Sequence, residues 1–114
     1  MSEFTYLFRG GEQSRSPEQM EQHMQKWGVW INDLRAKGYV KELGRPLEPG
    51  GKVVRGQAKT ITDGPYAETK DIVGGFLIVQ TEDLGQAVEL SRGCPILERG
   101  GMVEVRPVME LSLT

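Results

Sequence analysis

The sequence has one cysteine, Cys94, and one histidine, His23, among its 114 residues. A single cysteine excludes an intrachain disulfide. One cysteine and one histidine are also too few ligands for a zinc site built on thiolate and imidazole groups, so such a site is not expected. No apolar run approaches the roughly 20 residues that a membrane-spanning helix needs. We therefore expect no metal centre and no association with a membrane.

The chain also lacks a large excess of positive or negative charge. The formal net charge is −2, and the lysines and arginines are scattered along the chain. Proteins that bind nucleic acid usually present a clustered basic face, so direct nucleic-acid binding is not expected. The first nine residues have the alternation of a strand rather than the basic leader and apolar core of a signal peptide, which predicts a cytoplasmic location.

What is present fits one domain over residues 1–114. Alternating aromatic residues predict a first strand over 1–9. Ser16 and Pro17 then begin a helix that runs from 17 to 37 and ends before Gly38. Its apolar residues recur at helical spacing and form one stripe: Met20, Met24, Trp27, Ile31 and Leu34. Trp30 and His23 lie on the flank of this stripe. Gly28 is expected to allow close packing against a sheet.

Five further segments are predicted to be extended, at 39–47, 52–55, 57–62, 73–81 and 102–113. The apolar run within 73–81 indicates a central strand that is buried on both faces. A second helix begins after Asp83 and ends by Gly93. This order predicts an α+β, ferredoxin-like sandwich, an antiparallel sheet with both helices on one face. A second copy of the chain is the simplest cover for the other face, which predicts a homodimer.

Residues 63–70 read DGPYAETK. This segment resembles the DGPF(A/T)E(T/S)K motif of the DGPF-domain, or YCII-related, family, with Tyr66 in place of the phenylalanine. Residues 16–18, 74–76 and 103–107 also look like that family, so the similarity covers nearly the whole chain. The resemblance implies a dimeric α/β-barrel fold similar to that of muconolactone isomerase, with a cleft near the DGPF segment.

The resemblance does not imply one reaction. Some relatives look like small enzymes with a histidine–aspartate pair in the cleft, and others are linked by gene neighbourhood to alternative sigma factors. In this sequence His23 is the natural general acid or base, because imidazole titrates near neutral pH. Asp63 is the candidate to orient it. The alternatives are a boundary histidine packed on Trp27 and an aspartate that only stabilises a turn.

Four further side chains are candidates for ligand binding. Arg9 could hold a carboxylate, Tyr66 could stack on a ring, and Glu68 and Lys70 point to one side of an extended chain. Each also has a structural interpretation, such as a solvated arginine, an interface residue or a surface ion pair. Cys94 is interpreted as structural. We expect no cofactor, because Gly74 and Gly75 lack the context of a phosphate-binding loop.

Two functions follow from these residues. The first is a small, dimeric, cleft-containing domain with a ligand-sensing or regulatory accessory role, and the absence of a catalytic motif favours it. The second is a cofactor-independent lyase or isomerase for a small molecule. In the second, His23 moves a proton and Asp63 orients it, which requires the two side chains to lie within hydrogen-bond reach in one pocket.

Overall fold

A four-stranded antiparallel sheet carries two helices on one face in the computed structural model, which describes residues 1–12, 16–65 and 71–111. The sheet contains β1 (Ser2–Arg9), β2 (Val40–Glu42), β5 (Val73–Thr81) and β6 (Met102–Pro107), in the order β2-β5-β1-β6. Both central strands, β1 and β5, pair with antiparallel neighbours. This is the ferredoxin-like α+β arrangement, and it confirms the predicted fold class.

A separate two-stranded hairpin is inserted between β2 and β5. It consists of β3 (Gly51–Arg55) and β4 (Thr60–Gly64), which pair only with each other among the described strands. Gly56 turns the chain between them with a φ of +67°. The two segments predicted to be extended on either side of this glycine therefore form one hairpin outside the main sheet.

The helices begin and end where their capping residues predict. Helix α1 spans Pro17–Ala36, and the Ser16 side chain accepts a hydrogen bond from the backbone N–H of Gln19. Gly38 follows its end with a φ of +81°, a conformation that favours glycine. Helix α2 spans Leu84–Ser91, and Asp83 caps it in the same way. A 3-10 helix at Pro95–Arg99, which the sequence patterns did not predict, follows α2.

The core lies between the helices and the inner face of the sheet. Phe4, Tyr6 and Phe8 of β1 are buried there, and α1 contributes Trp30 and Leu34. The predicted stripe on α1 is wrong in its first half, where Met20 and Met24 are 52% and 56% exposed. The reason is that α1 joins the core only from Trp27 onward, so its first turns have no packed sheet beneath them.

Two further expectations need correction. Strand β5 is buried on one face of the chain, with Leu77 and Val79 inside while Phe76 is 37% exposed on the other face. The last strand ends at Pro107 instead of continuing to 113. Its pairing with β1 ends there, since Pro107 lies opposite Phe4 in the last pair of the ladder.

Two glycines give opposite predictions for stability. A Cβ at Gly28 would have no neighbour within 4 Å, so the expected packing role of this residue is absent, and Gly28→Ala should stabilise α1 by about 1 kcal/mol.

A Cβ at Gly44 would meet the carbonyl oxygen of Phe76, so Gly44→Ala should destabilise the protein by about 2 kcal/mol. Urea unfolding of both variants measures these changes. A less stable Gly28→Ala protein would contradict the first expectation.

Candidate functional site

A cleft of about 350 Å³ opens between α1, the loop after β1 and the start of β5. Apolar residues make up most of its lining: Phe8, Met24, Trp27, Ile31, Leu43, Phe76, Leu77 and Ile96. Polar groups gather at one end, where His23, Arg99 and Glu12 lie. The same three residues also border a neighbouring, more open polar cavity of about 430 Å³. Apolar walls with a few converging polar groups are typical of small-molecule sites, so the first cleft is the candidate site.

Close backbone approach builds one wall of this cleft. Pro46 forms an isolated bridge to Gly75, and the backbone N–H of Leu47 donates to the carbonyl of Gly74 at 2.8 Å. A Cβ at Gly75 would lie 3.1 Å from the carbonyl oxygen of Arg45. The glycines at the start of β5 therefore let residues 43–46 lie against the strand and border the cleft.

The opposite wall depends on aromatic packing. Trp27 meets Phe8 edge-on, with ring centroids 4.9 Å apart and an interplanar angle of 86°. His23 lies one helical turn before Trp27 on the same side of α1, and the two rings are also edge-on. Packing against Phe8 of the sheet thus fixes the position of the Trp27 ring. Because His23 lies on the same side of α1, this packing also places His23 at the cleft.

Both ring nitrogens of His23 face hydrogen-bond donors. The indole Nε1 of Trp27 lies 2.8 Å from His23 Nε2, and the Nε of Arg99 lies 3.0 Å from His23 Nδ1. Arg99 also donates from Nη1 to the carbonyl of Glu12 at 3.1 Å, while the backbone N–H of Glu12 donates to the carbonyl of Arg99. These contacts join the loop after β1 to the end of the 3-10 helix and hold Arg99 at His23.

The surroundings of His23 favour a neutral imidazole. Partial burial lowers its pKa below the usual value, and the positive charge of Arg99 lowers it further. Lys26 acts in the same direction and Glu98 in the opposite one, but these two side chains are paired with each other at 2.9 Å. His23 is therefore uncharged at neutral pH.

Asp63 is engaged elsewhere. It lies on β4 in the projecting hairpin, its side chain is 85% exposed, and its carboxylate forms an ion pair with Lys52 on β3. The polar contacts of His23 within the described part of the chain are those with Trp27 and Arg99. The structure thus groups His23 with Arg99 rather than with Asp63, and the His23–Asp63 pair stays a prediction.

The other candidate ligand-binding residues lie outside the cleft or outside the described residues. Arg9 donates from Nε to Glu104 at 2.9 Å and from Nη1 to the carbonyl of Asp71 at 2.7 Å. Because its neighbour Phe8 faces the cleft and the core, Arg9 points to the opposite face of the sheet. Tyr66, Glu68 and Lys70 fall within residues 66–70, which the structure does not describe.

Sequence patterns did not identify Arg99, the cation that contacts His23. It ends a 3-10 helix 76 residues after His23, and no local motif marks it. The one available signal was the pair of glycines at 100 and 101, since Gly100 has a φ of +75° and ends that helix. Only the fold brings this residue to α1.

Other chemistries find little support in the described ranges 1–12, 16–65 and 71–111. No group of three or more His, Cys, Asp or Glu side chains within them is placed to hold a metal ion. Burial raises the pKa of the Cys94 thiol to about 12, so it is not a reactive thiolate. No helix in this part of the chain is long and apolar enough to cross a bilayer.

The model of the YCII-related domain matches residues 4–112 of the chain. Among solved structures, the chain is similar to 5-chloro-2-hydroxyhydroquinone dehydrochlorinase from Burkholderia phenoliruptrix, in complex with 2,5-dihydroxybenzoquinone. That comparison gives 18% sequence identity and a TM-score of 0.44, and it covers 89% of this chain and 90% of the other. A search of curated proteins finds no significant match. The domain match extends over nearly the whole chain.

The lowered pKa of His23 predicts a pH effect on stability. Because the unfolded chain binds this proton more readily than the folded one, wild-type stability should fall as the pH drops from the usual histidine pKa of about 6.5 toward the lower folded value. The variant His23→Gln has no imidazole at this position, so this pH-dependent loss of stability is absent from it. Urea unfolding between pH 8 and pH 5 should therefore show the stability of the variant gaining on that of the wild type as the pH falls. Parallel curves would contradict this assignment.

Proposed function

The chain belongs to the YCII-related family, and we propose that it is a small-molecule-binding domain whose ligand occupies the cleft between α1 and the sheet. The supporting observation is the apolar cleft of about 350 Å³ with His23 and Arg99 at one end. This volume lies in the range of known ligand sites and suits a compound built on one ring. The edge-on Trp27 and Phe8 rings offer apolar faces and edges to such a ring.

The contacts of His23 favour binding over proton transfer. A general base needs an unshared lone pair directed at the substrate proton. Here an indole N–H and a guanidinium N–H already face the two ring nitrogens. We therefore favour a ligand-sensing role, in which occupancy of the cleft is passed to a partner, and a regulatory accessory function is consistent with it.

A lyase or isomerase acting on a small molecule without a cofactor is the second candidate. One observation favours it, which is that the pKa of His23 is lowered, so the imidazole is neutral and could accept a proton at physiological pH. In this function Asp63 would have to leave Lys52 and reach His23, or a second copy of the chain would have to supply it. Turnover that His23→Gln and Asp63→Asn both abolish would favour this candidate.

We also propose that a second copy of the chain covers the outer face of the main sheet. The helices occupy the other face, and the molecule is only 20 Å across its shortest axis. The centre of the outer face is apolar, with Leu7 paired to Phe76 and Ile78 beside them. Charges of both signs surround it: Glu3, Arg9, Glu42, Glu104 and Arg106. An apolar centre with mixed charges at its rim can complement itself across a two-fold axis, as a symmetric dimer requires.

The cleft proposal is tested by filling it. Met24 lies at the cleft and is mostly exposed, so Met24→Trp should block the cleft without disturbing the core. We expect it to weaken binding of small ring compounds by roughly tenfold. Isothermal calorimetry measures affinity, and the NMR shift of the Trp27 indole N–H reports on the site.

Met20→Trp is the matched control, since Met20 lies one turn earlier on α1, is equally exposed and does not line the cleft. This variant should bind within about twofold of the wild type. The ligand panel contains neutral and acidic ring compounds. If Met24→Trp bound them as well as Met20→Trp does, the ligand site would not be this cleft.

The dimer proposal predicts a mass in solution twice the 12.7 kDa of one chain. Ile78→Lys would place two ammonium groups in the proposed interface, so light scattering should show this variant as a monomer. Val88→Lys makes the same change at an exposed position on α2, away from the outer sheet face, and should remain dimeric. A wild-type monomer at micromolar concentration would contradict the proposal.

A further inference from the structure

The polar cavity of about 430 Å³ lies directly beside the apolar cleft. Its lining consists of polar and charged residues: Glu12, Gln19, Gln22, His23, Lys26, Glu98 and Arg99. Glu12, His23 and Arg99 line the apolar cleft as well, so the two cavities share one border. A ligand whose ring fills the cleft can therefore place a polar group across this border in the second cavity.

Helix α1 contributes a separate line of residues to each cavity. The line at the cleft is apolar and has helical spacing: Met24, Trp27 and Ile31. The line at the polar cavity has the same spacing: Gln19, Gln22 and Lys26. His23 lies between the two lines on the helix surface and contacts Arg99 of the 3-10 helix at 3.0 Å. This contact forms the part of the border that crosses from α1 to the 3-10 helix.

Two charged groups at the border are available to a ligand. Lys26 and Glu98 neutralise each other in an ion pair of 2.9 Å. Arg99 uses Nε on His23 and Nη1 on the carbonyl of Glu12, and its Nη2 has no hydrogen-bond partner among the described residues. Within the same part of the chain, the carboxylate of Glu12 has no polar contact. One guanidinium nitrogen and one carboxylate are therefore available.

Hydrogen bonds hold Arg99 and Glu12 next to each other. The backbone N–H of Glu12 donates to the carbonyl of Arg99 at 2.9 Å, and Arg99 Nη1 donates to the carbonyl of Glu12 at 3.1 Å. Their charged groups form no ion pair with each other in the described ranges. Because the two residues are already joined, a ligand that binds both does not have to order this border, which favours affinity.

This pair of opposite charges selects for a ligand that carries both signs. A carboxylate accepts charge-assisted hydrogen bonds from a guanidinium, and an ammonium donates them to a carboxylate. A ligand with a single charge would bind one of the two residues and meet a like charge at the other, which disfavours it. A zwitterion meets an opposite charge at both residues.

We propose that the cleft and the polar cavity form one site for a ring compound with a zwitterionic head group, such as an aromatic α-amino acid. The ring lies in the cleft beside Trp27, the ligand carboxylate binds Arg99, and the ligand ammonium binds Glu12. This inference rests on the proposed function, because it requires the ring in the cleft, and it adds the chemical class of the ligand.

Four ring compounds separate the contributions of the two charges. Phenylalanine carries both charges, 3-phenylpropionate lacks the ammonium, phenethylamine lacks the carboxylate, and benzyl alcohol lacks both. Calorimetry at neutral pH should show phenylalanine binding at least about fivefold more tightly than either singly charged compound, as expected for hydrogen bonds between charged groups. Benzyl alcohol should bind most weakly.

Variants of the two charged residues should remove one preference each. Glu12→Gln should lower the phenylalanine to phenylpropionate affinity ratio by about fivefold and leave the phenylalanine to phenethylamine ratio unchanged. Arg99→Gln should do the reverse, and Arg99→Lys, which keeps the charge, should retain part of the preference. A merely structural role of either residue would weaken all four compounds together and leave both ratios unchanged.

Matched controls remove the same charges elsewhere. Glu21→Gln lies on α1 outside both cavities, and Arg45→Gln lies at the cleft but not at the polar cavity. Neither should change its ratio by more than about twofold.

A second pair of variants tests the place of the head group. Gln22 lines the polar cavity and is exposed, so Gln22→Trp should fill part of that cavity and weaken phenylalanine by about fivefold while benzyl alcohol changes less than twofold. Gln25→Trp is its control, since Gln25 is also exposed on α1 and lines neither cavity. It should bind both compounds as the wild type does.

Each outcome decides between the proposals. Equal wild-type affinities for all four compounds, all lost in Met24→Trp, would overturn the zwitterion site and leave the cleft as a ligand site. Tighter binding of phenylpropionate or phenethylamine than of phenylalanine would also overturn it, as would equal effects of Gln22→Trp and Gln25→Trp or unchanged ratios in Glu12→Gln and Arg99→Gln. If none of the four compounds bound, both the zwitterion site and the proposed function would fail.

Discussion

The aromatic contact between α1 and β1 is the interaction on which the rest of the structure depends. Tyr6 stacks on Trp30 with centroids 6.0 Å apart, and Phe8 meets both Trp27 and Trp30 edge-on. Each such pair contributes about 1 kcal/mol beyond the area it buries. Together they fix the rotation of α1 about its own axis, and that rotation places His23 at the cleft and Lys26 toward the 3-10 helix.

The same contact explains why a cleft exists. The buried part of α1 starts near Trp27, yet the helix extends ten residues further toward its N-terminus, past the packed core. The space beneath those turns is closed from the sides by segments distant in sequence. Residues 43–46 lie against Gly75, and the loop after β1 is joined to the 3-10 helix through Glu12 and Arg99. The cleft is therefore the gap between a long helix and a sheet that ends before it.

Local patterns predicted most of the fold and little of the site. Alternation in 1–9, the cap at Ser16 and the apolar run 73–81 each depend on neighbours within a few residues, and the elements they predict are observed. The exposed Met20 and Met24 obey the helical period as well as Leu34 does, so the period alone could not show where the core ends.

The site depends on contacts between distant residues. Arg99 reaches His23 only because the sheet order brings the 3-10 helix beside α1, and no residue spacing encodes that approach. Asp63 was a reasonable partner for a lone histidine, but its strand pairs with β3, and Lys52 stands directly opposite it in the hairpin. The register of the hairpin decides which cation lies beside the carboxylate, and the residue types alone do not reveal that register. The homodimer and the cytoplasmic location stay predictions.

The two candidate functions differ in one requirement, which is whether His23 must exchange a proton with the ligand. In the unliganded protein His23 is neutral because burial and Arg99 disfavour its positive charge. A lyase or isomerase needs His23 to take up a proton and to give it back. Burial and the positive charge of Arg99 both disfavour the protonated imidazole, so turnover would require a second group that accepts or returns the proton. The described part of the cleft offers Glu12 as the one carboxylate in its lining, and it is exposed to solvent. Binding needs no such group, which is the physical reason to prefer it.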